Sequence, residues 1–453
     1  MSWLKLSQVA EMMEADLQGV DSWVDTVSTD TRKPTDNTLF FALQGPNFDA
    51  HKVLEQSPDI RPSGIVVSRP IQHPAPQIVV SDTRVALGEL AAAWRQRFTG
   101  RVVALTGSNG KTTVKEMLAA IFAIEGSVLS TKGNLNNDIG VPLTLLRLRS
   151  QHLLAVIEMG ANHSGEIAYL SEITRPNIAL LNNAAAAHLE GFGDIEGVAR
   201  TKGEIFSGLC QSGVAIINAD DDYCDYWVSL NLGRRRILFG SDPRANVRLV
   251  STSPVEILSG GVVYPIDFQL EGEHNVYNAM AAWAAAMAVG VQPEVIQQGL
   301  ASMQPVKGRL QSLQGYQGAT IIDDSYNANP ASLQAGIRVL AAKPGKRILV
   351  LGDMAELGEN AAALHAEIGA QAAQAGVEHL LTFGALSHAA VEAFGDGGKH
   401  YQQLDDLMTE ARQLLDKDTV VLIKGSRAAR MERVVEYLSE STDELSEGQV
   451  NAA

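Results

Sequence analysis

Short apolar runs rich in β-branched residues recur along the chain, and a helical pattern follows most of them. In the middle of the chain these runs cover residues 101–105, 153–158, 178–182 and 214–218. In the last third they cover residues 320–323, 347–351, 379–383 and 419–423. Buried strands that alternate with helices are typical of parallel sheets in α/β proteins. The pattern therefore predicts two parallel sheets, of which the second is smaller and doubly wound.

The clearest helical pattern follows the first of these runs. Apolar residues recur from Val114 to Phe122 at the spacing that places them on one helix face. An alanine-rich helix is predicted over residues 276–289 and another over residues 85–97. Before the latter, residues 38–43 and 64–68 have the composition of short strands. The beginning of the chain is therefore interpreted as a smaller α/β unit that a helix closes.

The length of the chain indicates several domains. At 453 residues, a prior of about 150 residues per domain suggests three. We expect an α/β fold with a small N-terminal domain at residues 1–99, a central parallel-sheet domain at residues 100–310 and a Rossmann-like domain at residues 311–440. Residues 441–453 are polar and acidic without periodicity, which predicts a disordered tail.

The composition narrows the class of protein. A formal net charge of −16 argues against a nucleic-acid or anionic-membrane binder, because phosphate-rich surfaces attract basic faces. The two cysteines, Cys210 and Cys224, form no metal-binding motif, which argues against a zinc site or a disulfide framework. The N-terminus lacks a signal-peptide pattern, and no apolar run has the length of a membrane span. We expect a cytoplasmic monomer.

A glycine-rich loop connects the first central run to the helix that follows it. The loop consists of Gly107, Ser108, Asn109, Gly110, Lys111, Thr112 and Thr113. The backbone N–H groups of such a loop and the helix N-terminus bind phosphates, the lysine reaches the β- and γ-phosphates, and the next hydroxyl ligates Mg²⁺. Leu105 stands where the common pattern has a glycine. The alternative is an ordinary strand-to-helix turn, but the agreement of strand, loop, lysine and helix favours ATP binding.

Polar residues also follow other predicted strands, at the sheet edge where open α/β folds bind ligands. Glu158 ends a central strand and suits Mg²⁺, with a solvated or helix-capping acid as the alternative. The D-D-S-Y-N-A-N-P turn from Asp323 and the K-G-S-R turn from Lys424 favour binding loops, although these residue types also occur in plain turns. On their own, His188 indicates a structural histidine and Lys202 indicates a lysine on a helix surface.

In their order, these motifs resemble the Mur ligases, bacterial amide-bond ligases that build the peptidoglycan precursor. The shared segments are L-T-G-S-N-G-K-T-T, E-M-G-A-N-H, A-A-A-A-H-L-E-G-F-G, G-x-H-N at residues 272–275, K-G-R at residues 307–309 and D-D-S-Y-N-A-N-P. The segments that look like those of the D-alanyl-D-alanine-adding members are S-T-D-T-R, L-F-F-A-L-Q-G, F-D-A-H, G-N-L-N-N-D-I-G-V-P and G-D-M-A-E-L-G. Ala331 follows Asn329 and Pro330 where members that add a dibasic amino acid carry an arginine.

The resemblance implies roles for the matching residues. The catalytic groups would be Lys111, Glu158, His188, Lys202 and Arg309. The loop would bind ATP together with Asn275, Arg309 and Asp324. Two Mg²⁺ ions would be held by Thr112, Glu158, His188 and, as a carbamate formed with CO₂, Lys202. The UDP-linked peptide would contact Ser28, Thr31, Arg32, Gly45, Asn134, Asn136, Asn137 and Asp138. The incoming dipeptide or the γ-phosphate would contact Asn327, Asn329, Lys424 and Arg427.

The implied reaction joins D-alanyl-D-alanine to UDP-N-acetylmuramoyl-tripeptide through an acyl phosphate formed with ATP. The first domain would bind the UDP substrate, the central domain ATP, and the third domain the dipeptide. One alternative is a ligase similar to folylpolyglutamate synthases, against which the N-terminal region argues. Another is a nucleotide-dependent switch, which would not need the polar turns of the last region. The residues favour neither diaminopimelate nor lysine as the third residue of the peptide.

Overall fold

The structure is a computed structural model that describes residues 3–32, 36–186 and 189–439. His188 and the predicted tail at residues 441–453 lie outside the described residues. Three main sheets follow one another along the chain, each with helices packed against it. In the described ranges, no helix is both long and apolar enough to cross a membrane. The arrangement confirms the predicted α/β fold class.

The first sheet has five strands. Their spatial order is Asp16–Gln18, Gln77–Val79, Gly64–Val67, Thr38–Phe41 and Thr26–Ser28. The outermost strand Asp16–Gln18 is antiparallel and the others run parallel. Two short antiparallel pairs accompany the sheet, Leu4–Lys5 with Trp23–Val24 and Gln44–Gly45 with Phe48–Asp49. The helices are Leu6–Met12, Ala50–Gln56 and Thr83–Gln96. The last of these shares its apolar core with the central domain.

The central sheet has nine strands. Their spatial order is Val128–Ser130, Leu154–Glu158, Arg101–Thr106, Ile178–Leu181, Val214–Asn218, Arg235–Gly240, Val247–Thr252, Val255–Ser259 and Val262–Pro265. The first seven run parallel, as predicted for the strands among them that the sequence indicated, and the last two, which were not predicted, are antiparallel. The α-helices are Lys111–Glu125, Gly140–Leu145, Glu166–Thr174, Leu189–Phe192, Ile195–Gly203, Cys224–Ser229, Glu273–Val289 and Pro293–Ser302, with a 3₁₀ turn at Glu204–Phe206.

The third sheet has six strands. Their spatial order is Gln311–Gln314, Thr320–Asp324, Thr419–Lys424, Lys346–Gly352, His379–Phe383 and Gly398–Tyr401. Strand Gln311–Gln314 is antiparallel and the other five run parallel. The α-helices are Pro330–Ala341, Ala361–Gln374, His388–Phe394, Leu404–Gln413 and Glu432–Leu438, and 3₁₀ turns lie at Tyr316–Gly318, Gly358–Asn360 and Arg427–Ala429.

The long helix Glu273–Val289 lies in the core of the central domain. Most of its residues are buried, and its many alanines allow the helix to pack closely against the sheet and against helix Lys111–Glu125. This packing brings the first turn of the buried helix to the glycine-rich loop. Asn278 therefore lies next to Gly110 of the loop, and it donates a hydrogen bond to Asn275 of the first turn.

The third domain contacts the central domain at the same edge of the sheet. Asn329 Nδ2 donates a hydrogen bond of 2.8 Å to Asn109 Oδ1 in the glycine-rich loop. Beside this contact, Lys343 forms an ion pair with Glu271. The two domains therefore enclose the loop between them. The domain limits at residues 99, 310 and 440 stay predictions.

Candidate active site

The glycine-rich loop turns into helix Lys111–Glu125 at Gly110. Gly110 has a φ of 79°, in the left-handed region that a residue with a side chain rarely adopts. A Cβ at this position would lie 2.2 Å from Asn278 Oδ1 and 2.5 Å from Asn182 Nδ2. Both conformation and space therefore require glycine here. The helix N-terminus behind Gly110 directs its free N–H groups toward a bound anion.

Asparagines from neighbouring segments hold the loop in place. Asn183 Oδ1 accepts a hydrogen bond of 2.8 Å from the backbone N–H of Asn109, and Asn182 Nδ2 donates one of 3.0 Å to the Asn109 carbonyl. Asn182 Nδ2 also donates to Asn278 Oδ1 at 2.9 Å. The sequence motifs did not indicate these three asparagines as site residues. The available signal was the position of Asn182 and Asn183 directly after strand Ile178–Leu181, at the ligand-binding edge of the sheet.

Lys111 lies folded over the loop. Its ammonium group donates hydrogen bonds to the carbonyls of Gly107 at 2.6 Å and Ser108 at 3.2 Å. Burial lowers the pKa of Lys111 to about 8, an effect that Glu158 opposes and Arg309 reinforces. At pH 7 most of the side chain therefore stays charged, as an interaction with phosphate requires.

Glu158 is buried at the end of strand Leu154–Glu158, with 2% of its surface exposed. Its Oε1 accepts a hydrogen bond of 2.7 Å from Asn136 Nδ2. Its Oε2 has no hydrogen-bond partner in the described part of the chain and lies 3.9 Å from Lys115 Nζ. A buried carboxylate oxygen without a donor is costly unless a cation compensates it. Glu158 therefore fits the position of a Mg²⁺ ligand.

Lys202 is also buried, with 1% of its surface exposed. Burial and the charge of Lys111 lower its pKa to about 7. The interpretation of Lys202 as a helix-surface lysine was therefore wrong, because its side of helix Ile195–Gly203 packs inward. Near pH 7 a large part of its amine is neutral and nucleophilic. No cluster of three His, Cys, Asp or Glu side chains suited to a metal occurs among the described residues. Glu158, Lys202 and Thr112 line the same cavity.

A cavity of about 700 Å³, which we call the charged cleft, brings most of the predicted residues together. All three domains contribute to it, the first through Arg84. The predicted residues that line it are Ser108, Asn109, Gly110, Lys111, Thr112, Asn134, Asn136, Asn137, Asp138, Glu158, Lys202, Arg309, Asn327, Asn329 and Arg427. The Arg309 guanidinium lies 4.1 Å from the centre of the Tyr326 ring, an aromatic contact that orients it.

A second cavity of about 640 Å³, which we call the asparagine cavity, borders the same loop. Asn109 and Gly110 line both cavities. Further lining residues that the sequence analysis missed are Asn182, Asn183, Asn218, His274, Tyr277, Asn278 and Arg338. Burial, together with the charges of Lys424 and Arg338, lowers the pKa of His274 to about 4. His274 is therefore neutral at pH 7 and offers both a donor and an acceptor to a ligand.

Several predicted residues of the central and third domains line neither cavity. Asp324 and Lys424 are buried and form an ion pair with each other, and Lys424 also donates to the Asn327 carbonyl at 2.9 Å. Asn275 Oδ1 accepts a hydrogen bond of 3.0 Å from Asn278 Nδ2. Gly107 and Thr113 complete the loop without facing either cavity. In the structure these residues support the cavity walls.

The predicted residues of the first domain lie outside both cavities as well. They are Ser28, Thr31, Arg32 and Gly45. Ser28 Oγ accepts a hydrogen bond of 3.1 Å from the backbone N–H of Asp30, and the Arg32 guanidinium pairs with the Asp30 carboxylate at 2.8 Å. These contacts form a compact polar turn after strand Thr26–Ser28. Its role in substrate binding stays a prediction.

Comparison with known proteins identifies relatives over nearly the whole chain. The Mur ligase middle domain matches residues 105–286, and the Mur ligase glutamate ligase domain matches residues 308–427. The UDP-N-acetylmuramoyl-tripeptide--D-alanyl-D-alanine ligase of Escherichia coli is 47% identical over 447 residues, which is 96% of this chain and 98% of the relative.

Two solved structures have the same fold over similar lengths. UDP-N-acetylmuramoylalanyl-D-glutamyl-2,6-diaminopimelate--D-alanyl-D-alanyl ligase from Acinetobacter baumannii superimposes with a TM-score of 0.86 at 35% identity, covering 96% of this chain and 98% of that one. MurF ligase from Thermotoga maritima, in complex with ADP, superimposes with a TM-score of 0.82 at 27% identity, covering 91% of this chain and 96% of that one.

Proposed function

Since the chain belongs to the Mur ligase family and is an ATP-dependent, amide-bond-forming ligase, we propose that it joins D-alanyl-D-alanine to UDP-N-acetylmuramoyl-tripeptide. The relatives' printed names support this acceptor and this dipeptide. The name of the Acinetobacter baumannii relative also supports 2,6-diaminopimelate as the third residue of the peptide. UDP-linked precursors and ATP are compounds of the cytoplasm, where the enzyme would act.

One observation carries the proposal, namely the charged cleft. The cleft joins the glycine-rich loop, a buried carboxylate with an oxygen that accepts no hydrogen bond from the described residues, and a buried, partly neutral lysine. It opens toward Arg84 of the first domain and toward Asn327 and Arg427 of the third. A ligation needs three substrates to meet at one point, and a cleft between three domains suits that need.

The first chemical step transfers the γ-phosphoryl group. An oxygen of the tripeptide carboxylate attacks the γ-phosphorus of ATP, the bond from that phosphorus to the β-γ bridging oxygen breaks, and ADP leaves. Carboxylate and triphosphate are both anionic, so their approach is repulsive. The charges of Lys111 and Arg309 line the cleft and offset that repulsion in the transition state.

The second step forms the amide. The amine of D-alanyl-D-alanine attacks the acyl carbon, its excess proton is lost, and phosphate leaves with its electron pair. Water would hydrolyse the acyl phosphate, so the cleft must be closed during the reaction. The hydrogen bond from Asn329 to Asn109 and the Lys343–Glu271 ion pair hold the third domain over the loop and support this closure.

Glu158 and Thr112 are the described residues that fit as Mg²⁺ ligands. The Oε2 atom of Glu158 is buried and has no donor among the described residues, and Thr112 lies at the start of the loop helix within the same cleft. Bound Mg²⁺ would supply positive charge beside the phosphates. His188, which lies outside the described residues, is proposed as a further ligand from the family resemblance.

Lys202 is proposed to act as a carbamate. Its neutral amine attacks CO₂, a C–N bond forms and a proton is released, which converts a buried cation into a carboxylate suited to Mg²⁺. The pKa of about 7 supports the first requirement, a neutral amine. We expect Lys202→Ala to lose turnover and to regain part of it with formate or acetate. Absence of rescue, together with no adduct of labelled CO₂ in mass spectra of the wild type, would contradict this role.

The remaining roles are assigned according to which of the two cavities a residue lines. ATP would place its base in the asparagine cavity and its phosphates along the loop. Asn134, Asn136, Asn137 and Asp138 would contact the UDP-linked peptide, and Asn327 and Arg427 the dipeptide. The residues whose direct ligand contacts rest on the resemblance alone are Ser28, Thr31, Arg32, Gly45, Asn275, Asp324 and Lys424.

One assay tests the proposed function. Phosphate release from ATP is measured with UDP-N-acetylmuramoyl-tripeptide and D-alanyl-D-alanine, added singly and together. Release that requires both substrates is expected. Release with a folate and glutamate instead would identify a folylpolyglutamate synthase, and release that depends on no acceptor would identify a nucleotide hydrolase or switch.

A further inference from the structure

An ion pair in the wall of the charged cleft joins the first domain to the central domain. Arg84 at the start of helix Thr83–Gln96 pairs with Asp138 of the central domain. Both residues line the cleft. The side chain of Arg84 is 56% exposed and that of Asp138 25% exposed, so both can reach a ligand.

Both side chains project from well-anchored backbone. Asp82 caps the helix of Arg84, accepting a hydrogen bond of 2.7 Å from the Arg84 N–H. Asn137 accepts a hydrogen bond of 2.8 Å from the N–H of Gly140 at the start of the neighbouring helix. The pair is therefore preorganised, which reduces the entropy lost when a ligand binds.

The helix that carries Arg84 also packs tightly against the central domain. A Cβ on Gly88, in the helix of Arg84, would lie 1.8 Å from the Tyr169 hydroxyl oxygen of the central domain. Such a close approach leaves little room for the first domain to shift along this surface. The position of Arg84 in the cleft is thus fixed by packing as well as by its partner.

The surroundings of Arg84 are acidic. Asp138, followed by Asp82 and Glu166, raises the pKa of Arg84 above its usual value. One cation among three carboxylates is complementary to a ligand group that carries an ammonium and a carboxylate on the same carbon. The ammonium would replace Arg84 as the partner of Asp138, and the carboxylate would accept two hydrogen bonds from the guanidinium.

We propose that Arg84 and Asp138 bind the distal amino-acid end of the third peptide residue and select diaminopimelate over lysine. This inference rests on the proposed function. The carboxylate that reacts with ATP and the distal end of the side chain belong to the same residue, separated by a short methylene chain. When the carboxylate lies near Lys111, the distal group falls within the same cleft.

Lysine has only the ammonium of this distal group. A lysine-containing peptide could pair with Asp138 but would leave the Arg84 guanidinium without a carboxylate. Arg84 should therefore discriminate between the two peptides, whereas Asp138 should serve both. This difference separates a selective subsite from a plain link between two domains.

The test compares two tripeptide substrates that differ only in their third residue, diaminopimelate or lysine. We expect Arg84→Met to raise KM for the diaminopimelate peptide about tenfold or more, the cost of losing a charge-assisted hydrogen bond, and to leave KM for the lysine peptide unchanged. Asp138→Asn should raise KM for both peptides. The control is Arg69→Met, which removes an ion pair of similar exposure with Glu55 that lines neither cavity and should change neither KM.

Other outcomes overturn the inference. An equal rise of KM for both peptides in Arg84→Met would identify a domain link or a contact to the UDP diphosphate, and no change would remove Arg84 from substrate binding. If Arg84→Met does not fold, Arg84→Lys keeps the charge without the two-pronged geometry, and the preference for diaminopimelate must then fall. Failure of the proposed function is distinguishable, because the wild type would then turn over neither peptide with D-alanyl-D-alanine.

Discussion

The central and third domains each bury a carboxylate and a lysine, and the two pairs differ in how their charges are satisfied. In the central domain, Glu158 is buried with an oxygen that lacks a donor among the described residues, and Lys202 is buried with a pKa of about 7. In the third domain, Asp324 and Lys424 are equally buried but satisfy each other. Buried charged groups that lack a full set of partners are typical of sites of chemistry. Buried charged groups that form an ion pair with each other stabilise the fold.

The largest expected effect comes from the loop lysine. Lys111→Ala should reduce turnover by about 10³-fold or more, because it removes the positive charge that is proposed to bind the phosphates. The UDP substrate should still bind, since its proposed contacts lie on other residues. Calorimetric titration and phosphate release measure the two quantities, with Lys417→Ala on the exposed surface as control. Retained turnover in Lys111→Ala would contradict the assignment of the loop.

Breaking the Asp324–Lys424 ion pair of the third domain should mainly lower the stability of the fold. Lys424→Met leaves the Asp324 carboxylate buried without a cation, which should lower the free energy of unfolding by about 3–5 kcal/mol. The double variant Asp324→Asn with Lys424→Met should lose less than the sum of the single variants. Urea unfolding measures both. Unchanged stability with lost turnover would instead assign Lys424 to substrate binding, as the family resemblance implies.

Lys202 should show the opposite behaviour. In CO₂-free buffer at pH 7, Lys202→Met should raise the free energy of unfolding by roughly 2–4 kcal/mol while it abolishes turnover, because a buried amine with a lowered pKa destabilises the folded state. The unfolded lysine keeps its proton up to about pH 10.5, whereas the folded one loses it above about 7. The free energy of unfolding of the wild type therefore increases relative to that of the variant as the pH rises from about 7 to about 10.5. A constant difference from pH 7 to 10 would show that Lys202 titrates normally.

The smallest expected effect concerns the contact between the two sheets. Asn329→Asp keeps the oxygen that caps helix Pro330–Ala341 through the Ser332 N–H at 2.9 Å but loses the donor to Asn109. Turnover should fall about fivefold, the value of one hydrogen bond, with the melting temperature nearly unchanged. Asn329→Ala should also lose about 1 kcal/mol of stability from the cap. If the Asp variant retained full turnover, this contact would have no part in closure.

The sequence predicted what lies close together along the chain. Strand Arg101–Thr106, the loop and helix Lys111–Glu125 are consecutive, so spacing alone indicated a phosphate site. The antiparallel extension Val247–Pro265 was missed, although Gly260 and Gly261 between the apolar runs of Val255–Ser259 and Val262–Pro265 are a hairpin signal. No strand was predicted between residues 219 and 275.

The asparagine cavity could not be predicted in the same way. Asn182, Asn278 and Arg338 come from three distant segments, and each residue type is common in turns or on surfaces. Taken alone, Lys202 indicated a helix surface, because sequence spacing does not reveal which side of a short helix packs inward. Burial depends on what the fold places opposite a residue, and that information is not local.

The two cavities share one wall, and this has a consequence for inhibitor design. Asn109 and Gly110 separate the asparagine cavity from the charged cleft and face both. In a compound with one group in each cavity, binding of the first group would hold the second group close to its own site. The second group would then bind at a high effective concentration, which raises the affinity of the whole compound. Resistance to such an inhibitor through substitution of Gly110 would be difficult, since any side chain at this position collides with Asn278 and Asn182. Asn109 and Gly110 are therefore the residues that an inhibitor spanning both cavities should contact.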